Sequence, residues 1–127
     1  MGASGLTAQR TRMDVIAQNI ANADTTHDAS GRPVPYQRKF ATLMADRTEN
    51  GLPGVRIGEI RSDTSAFVPK YEPGNKDADA NGYVQYPNVD MAVEFTNAIE
   101  ASRAYEANVN MMEVTKAMLN ATLRLLA

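Results

Sequence analysis

The chain has 127 residues with 13 Lys and Arg against 15 Asp and Glu, giving a formal net charge of −2. No basic face of the kind that binds nucleic acid is present, and the absence of cysteine excludes disulfides and thiolate metal sites. No stretch reaches the roughly 18 apolar residues of a membrane span, and the start lacks the apolar run of a cleaved signal peptide. We therefore expect no nucleic-acid partner, no direct membrane insertion and no cleaved signal.

Residues 3–22 are predicted to form a first helix. Leu6, Met13, Ile16 and Ile20 follow one another at spacings of seven, three and four residues, which places them on one helical stripe. Short polar side chains from residue 22 to 26 compete for the backbone and end the helix. Residues 1–26 are therefore assigned to a terminal helical domain.

Residues 27–87 are predicted to form a small β-rich insertion with extended loops. The first part, up to residue 53, fits no periodic element, and Phe40–Ala45 is compatible with a short strand or a helical turn. Alternation predicts three short strands in one small sheet, with Gly58 marking a bulge in the first. The three predicted strands cover residues 55–60, 67–71 and 83–86.

Residues 88–127 are predicted to form one long helix that organises the fold. Alternating steps of three and four residues from Met91 reach eleven positions, of which nine are apolar, and this is a heptad pattern. The positions are Met91, Phe95, Ala98, Ser102, Tyr105, Val109, Met112, Lys116, Leu119, Leu123 and Leu126. Asn88 is the predicted N-cap. At about 55 Å, this helix exceeds the roughly 30 Å diameter of a globule of this size.

The two terminal helices are expected to pair as an antiparallel coiled coil, which makes the fold α+β and mainly α. We expect Leu6 near Leu123 and Ile20 near Val109. Ser102 and Lys116 interrupt the apolar seam. They either fix the register or mark where a third helix packs, or Lys116 simply extends its ammonium group to the rim. The predicted pairing and assembly residues are Leu6, Met13, Ile16, Ile20, Phe95, Tyr105, Val109, Met112, Leu119, Leu123 and Leu126.

No motif indicates an enzyme, a cofactor or a metal. The run Asp77-x-Asp79-x-Asn81-Gly82 resembles the first half of an EF-hand loop, but Asn88 stands where a bidentate carboxylate is required. The run is therefore interpreted as a polar loop with an Asn-Gly turn. A calcium titration with an Asp79→Ala control would test the alternative hypothesis of a calcium-dependent module. His27, the only histidine, is expected to be a solvated loop residue.

Three stretches resemble the flagellar basal-body rod proteins. Residues 4–9 and 19–22 resemble the N-terminal signature of rod, hook and filament proteins, and residues 100–108 resemble the C-terminal helix motif of that family. Residues 73–90 resemble the run that characterises proximal rod proteins. In one departure, Met1-Gly2-Ala3 directly precedes Ser4, where family members carry several more residues.

The resemblance implies a structural subunit of the proximal rod, polymerising through its coiled-coil terminal helices to transmit torque and form the wall of the export channel. It implies other copies, neighbouring proximal rod proteins, the distal rod protein and basal-body components as partners. It also implies export by the flagellar type III apparatus and assembly in the periplasm.

The alternative is a free-standing helical-hairpin module that binds proteins as a folded monomer or dimer. Size-exclusion chromatography and circular dichroism separate the two hypotheses. A rod subunit exposes apolar helix surface and should be poorly ordered alone.

Overall fold

The computed structural model describes residues 2–127, so that the predicted domain 1–26 begins one residue outside the described part. The chain forms two helices and two small antiparallel sheets. It is mainly helical, as expected from the sequence. In chain order the elements are α1 (Gly2–Ala21), β1 (Lys39–Arg47), β2 (Pro53–Ser62), β3 (Val68–Tyr71), β4 (Tyr83–Tyr86) and α2 (Met91–Leu126).

Helix α2 has 36 residues and begins after Asp90. The Asp90 carboxylate accepts hydrogen bonds from the backbone N–H groups of Ala92 and Val93, at 3.0 and 3.4 Å. The prediction of Asn88 as the N-cap is therefore wrong by two residues. The Asn88 side chain instead binds the backbone of the segments that flank the first hairpin, as described below.

Helices α1 and α2 lie side by side and run in opposite directions. Near the start of α1, a Cβ atom built on Gly5 would lie 3.0 Å from Cγ of Asn108. Near its end, the Asn19 side chain contacts Glu94 in the first turn of α2. The start of α1 therefore lies against the middle of α2.

The register expected from the sequence is wrong. Leu6 lies next to Val109 and Met112, and Leu123 is about two further heptads along α2. Ile20 follows the residue that contacts Glu94, so that Val109 lies roughly 22 Å along the helix from it. The expectation aligns apolar positions from the helix ends, whereas the observed alignment brings the polar side chains of Asn19 and Glu94 together.

The four strands form two separate two-stranded sheets instead of the single three-stranded sheet that was expected. Strands β1 and β2 pair from Lys39↔Ser62 to Arg47↔Pro53. Strands β3 and β4 pair from Val68↔Tyr86 to Tyr71↔Tyr83. The ambiguous stretch 40–45 is strand, because it finds an antiparallel partner in β2.

The predicted bulge is confirmed, since the pairing shifts between Ala41 and Leu43 opposite Gly58 and Glu59. The Thr42 hydroxyl closes it by accepting a hydrogen bond from Glu59 N–H at 2.9 Å and donating one to Glu59 C=O at 3.2 Å. A Cβ atom added at Gly58 would lie 2.5 Å from the sulfur of Met44 and 2.9 Å from the Thr42 hydroxyl, so that a larger residue there would displace these side chains.

Helix α1 is the central element, since α2 and the β1–β2 hairpin both pack against it. The Ser4 hydroxyl accepts a hydrogen bond from Val55 N–H of β2 at 3.2 Å, close to the tip of the hairpin. The buried apolar core is small. Its members among residues 2–127 are Ala8, Val15, Ile16, Val84 and Ala101.

Candidate assembly surface and its polar anchor

The C-terminal part of α2 extends past the start of α1. A Cβ atom built on Gly2, the first described residue, would lie 2.6 Å from Cγ of Met112, so that residues 113–126 continue α2 past the level of Gly2. The first turns of this stretch still border open grooves with the start of α1. Every residue from 111 to 127 is exposed. These fourteen helical residues, here called the overhang, span about 21 Å.

One side of the overhang is an apolar ridge formed by Leu119, Leu123 and Leu126. These side chains are 58%, 55% and 80% exposed. At about 100° of rotation per residue they lie on the same side of α2 as Asn108, the residue that meets Gly5 of α1. The ridge therefore continues the line of α1 beyond the point where α1 begins.

A second apolar surface lies further towards the start of α2. Phe95 and Ile99 are 52% and 57% exposed and border a shallow groove of about 540 Å³ together with Ser102, Arg103 and Glu106. All residues of this groove belong to α2, and Phe95 is roughly 120° around the helix from the side that meets α1. The long helix thus presents apolar side chains in two directions.

The structure distributes the predicted pairing residues among three environments. Ile16 is buried in the contact around α1, and Phe95 and the ridge are exposed, as is Met112. The half-buried remainder are Leu6, Met13, Ile20, Tyr105 and Val109. Leu6, Val109 and Met112 share a groove of about 370 Å³ with Glu113 and Lys116.

The side of α2 that faces α1 carries small and polar residues. Glu94, Ala101 and Asn108 recur at intervals of seven, and the first two are completely buried. Ser102 and Lys116, the two polar residues of the predicted seam, are both exposed. The polar groups that lie in the helix contact are therefore different from those that the heptad pattern indicates.

Asn19 near the end of α1 is completely buried and makes four hydrogen bonds. Its Nδ2 donates to the Lys39 carbonyl at 2.7 Å and to Oε2 of Glu94 at 3.2 Å. Its Oδ1 accepts from Lys39 N–H and from the Tyr36 hydroxyl, both at 2.9 Å. The one side chain therefore links α1 to the start of β1 and to α2.

Glu94 is also completely buried, and its charge is paired. Oε1 accepts a hydrogen bond from Nε of Arg38 at 2.5 Å, and Nη1 of Arg38 lies 3.2 Å from Oδ2 of Asp63. Burial and the charge of Glu94 raise the pKa of Tyr36. Burial lowers the pKa of Arg38, but hydrogen bonding and attraction to Glu94 outweigh it and the net shift is upward.

Asn88 extends this network to the segment after β2. Its Oδ1 accepts from Arg38 N–H at 2.7 Å, and its Nδ2 donates to the carbonyls of Asp63 and Ser65 at 3.0 and 3.1 Å. Hydrogen bonds from the Ser65 hydroxyl and backbone N–H lower the pKa of Asp63, with a smaller contribution from Arg38. We call Asn19, Arg38, Asp63, Asn88 and Glu94 the polar anchor.

The heptad pattern does not single out Glu94. The available signal was the seven-residue spacing of Glu94, Ala101 and Asn108 on a face without large apolar residues. Because that face competes with the richer apolar stripe one position away, the pattern favoured the wrong side of α2.

The loop between β3 and β4 is a self-contained turn. Oδ1 of Asp79 accepts from the N–H groups of Asn81 and Tyr83 at 2.8 and 2.9 Å, and Gly82 has a φ of +86°. Oδ2 of Asp77 lies 2.8 Å from Nε2 of His27. His27 lies in a loop and its side chain is 38% exposed, as expected, but it also connects the loop after α1 to this turn.

Within residues 2–127, no group of three His, Cys, Asp or Glu side chains is placed to hold a metal ion. Neither α1 nor α2 is long and apolar enough to cross a membrane.

Two protein-family models match the terminal segments of the chain. The model described as "Flagella basal body rod protein" matches residues 1–26. The model described as "Flagellar basal body rod FlgEFG protein C-terminal" matches residues 80–125. The matched segments contain α1 and all of α2 except its last residue, and therefore both sides of the helix contact.

Similar curated proteins cover nearly the whole chain. "Flagellar basal-body rod protein FlgC" of Bacillus subtilis is 42% identical over 134 residues, covering 94% of this chain and 89% of the relative. The proteins of the same name from Salmonella typhimurium and Yersinia enterocolitica are 39% and 42% identical, each covering 96% of this chain and 90% of the relative. The chain therefore belongs to the FlgC family of flagellar basal-body rod proteins.

Proposed function

We propose that this chain is a structural subunit of the proximal rod of the bacterial flagellar basal body. Its family is one of structural rod proteins and not of enzymes. The observation that carries the proposal is the apolar ridge of the overhang, which no other part of residues 2–127 covers. Fully burying one leucine side chain contributes about 1.5–3 kcal/mol, so that sealing the ridge against a neighbouring subunit supplies a strong driving force for assembly.

The proposed contacts are helix against helix. The ridge and the Phe95–Ile99 surface point in different directions around α2, so that one subunit has surfaces for more than one neighbour. We propose that the terminal helices form coiled coils with each other and with adjacent subunits, through the eleven pairing residues named from the sequence. Contacts that join unlike surfaces generate open helical assemblies, and packed helices resist deformation as torque is transmitted.

The proposed partners are other copies of the chain, neighbouring proximal rod proteins, the distal rod protein and other basal-body components. We further propose that the subunit passes through the flagellar type III export apparatus without a cleaved signal and assembles in the periplasm, where it forms part of the wall of the export channel. The small core supports this route, because a chain with few buried side chains is readily kept unfolded for export.

The test replaces two ridge leucines by aspartate, Leu119→Asp with Leu123→Asp, in cells that lack the native rod protein. We expect the variant to be synthesised but absent from purified basal bodies, and the cells to be non-motile, because two charges cannot be buried without partners. The matched control, Asn110→Asp with Asn120→Asp, adds the same charges at exposed positions outside the ridge and should restore motility. Normal incorporation of the leucine variant would exclude the ridge as an assembly contact.

A further inference from the structure

Along the line of α2 that faces α1, small and polar side chains take the place of large apolar ones. This line consists of Glu94, Ala101 and Asn108 and meets Asn19 and Gly5 of α1. Faces of small residues at heptad spacing are similar after a shift of seven residues, so that apolar packing discriminates weakly between alignments.

Two polar side chains, the only completely buried ones within residues 2–127, do distinguish between alignments of α1 on α2. Asn19 and Glu94 are both 0% exposed and meet at 3.2 Å. A shift of seven residues in one direction places Asn19 opposite Ala101, which offers no hydrogen-bonding side chain, and in the other direction opposite Pro87, before α2 begins. Because an unsatisfied buried polar group is costly, both shifted alignments are disfavoured.

We propose that Asn19 and Glu94 act as a register key, a pair of positioning residues that selects one alignment of α1 on α2. Arg38 completes the key by pairing with Glu94 from the start of β1. The alignment fixes where α1 begins along α2 and therefore fixes the length of the overhang. Its importance for assembly rests on the proposed function, but the alignment itself is a property of the single chain.

Because the chain contains no native cysteine, disulfide trapping reports the alignment directly. Gly5→Cys with Asn108→Cys traps the observed alignment, since a Cβ at position 5 lies 3.0 Å from Cγ of Asn108 and disulfides need a Cβ separation of about 3.5–4.5 Å. Gly5→Cys with Ala101→Cys, and Gly5→Cys with Thr115→Cys, trap alignments shifted by seven residues. In the otherwise native full-length chain, only the first pair should form a disulfide.

In chains that also carry Asn19→Leu and Glu94→Leu, the yield of the shifted disulfides should rise at least about tenfold, because a shift then no longer leaves this buried polar pair without partners. Val15→Ala is the matched control, since Val15 is buried and apolar. That substitution weakens packing but should leave the 5–108 disulfide as the only product. Trapping is performed in trimethylamine oxide, which favours burial.

If the double leucine chain loses its helical circular dichroism, Glu94→Gln serves as a second variant, because it preserves the shape of the side chain. It should also yield shifted disulfides, at a lower level. Exclusive formation of the 5–108 disulfide in the folded key variants overturns the proposal, as does its failure to form in the otherwise native chain. A shifted alignment together with normal assembly into rods would retain the register key and contradict the proposed role of the overhang.

Discussion

Single residues of the polar anchor connect segments that are far apart in the sequence. Arg38 forms ion pairs with Glu94 and Asp63. Asn88 forms hydrogen bonds with the backbone on both sides of the β1–β2 hairpin. Burying a charge is costly unless it is paired and hydrogen-bonded, so that each of these groups depends on the others. The anchor is therefore the place where small chemical changes should have the largest structural effect.

The lowered pKa of Asp63 makes the anchor sensitive to acid. The fold favours the ionised carboxylate, so that its stabilising contribution is complete above the ordinary pKa of about 4 and is lost as the pH falls through the lowered value. We expect helical circular dichroism in trimethylamine oxide to be constant from about pH 8 to 5 and to decline below about pH 4.

Asp63→Asn should flatten part of this decline, whereas Asp14→Asn, at an exposed position of α1, should leave it unchanged. An identical acid response in both variants would show that Asp63 does not couple to the helices.

At the scale of elements, the β1–β2 hairpin depends on its bulge, because one threonine hydroxyl replaces the interrupted strand pairing. Thr42→Val keeps the shape of the side chain but removes both hydrogen bonds to Glu59, which should cost about 1 kcal/mol. Hydrogen exchange at the Glu59 amide should then accelerate about fivefold.

Thr42→Ser retains the hydroxyl and serves as the control. Equal exchange rates in the serine and valine chains would mean that the hydroxyl does not hold the bulge.

The elements differ in how far the sequence predicts them. The existence of both helices, the limits of β4 and the bulge at Gly58 follow from local patterns, because periodicity and turn chemistry act within a few residues. The number of sheets and the register of α1 on α2 depend on contacts between distant residues. Asn19 and Glu94 determine that register, and a hydrophobic pattern cannot identify two polar residues as partners.

The same distinction applies to the candidate assembly surface. The ridge leucines are predictable as apolar heptad positions, and all of them are exposed in the single chain. Phe95 also belongs to the heptad pattern, but it points away from α1 because the helix contact uses a smaller face. An exact heptad drifts by about 20° per repeat around a straight helix, so that the stripe reaches the line of α1 only near Met112 and in the overhang.

The whole molecule has little to hold it together in isolation. Its buried apolar residues are few and two of them are alanines, whereas α2 continues for fourteen residues beyond its intramolecular partner. Stability should therefore come largely from neighbouring subunits, as binding partners stabilise a fold by mass action. This inference agrees with a subunit that acquires its final order during assembly.

We expect the dilute chain to show a weak helical signal without a sharp thermal transition. The helical signal should increase with protein concentration, because association covers the ridge. A chain that lacks residues 117–127 should show no such increase, and circular dichroism over a hundredfold concentration range measures the difference. A fully helical, sharply melting monomer at the lowest concentration would contradict this account.

Gly5 lies in the contact between the two helices, where a methyl group would meet Nδ2 of Asn108 at 2.8 Å. A change in the angle between the helices at this contact would therefore displace the overhang at the end of α2. Tilting α2 by roughly 5° there would move Leu126 by about 2 Å, given the distance of about 27 Å along the helix from Asn108 to Leu126. A larger side chain at Gly5 would thus change the direction in which the apolar ridge, at the opposite end of the sequence, faces a neighbouring subunit.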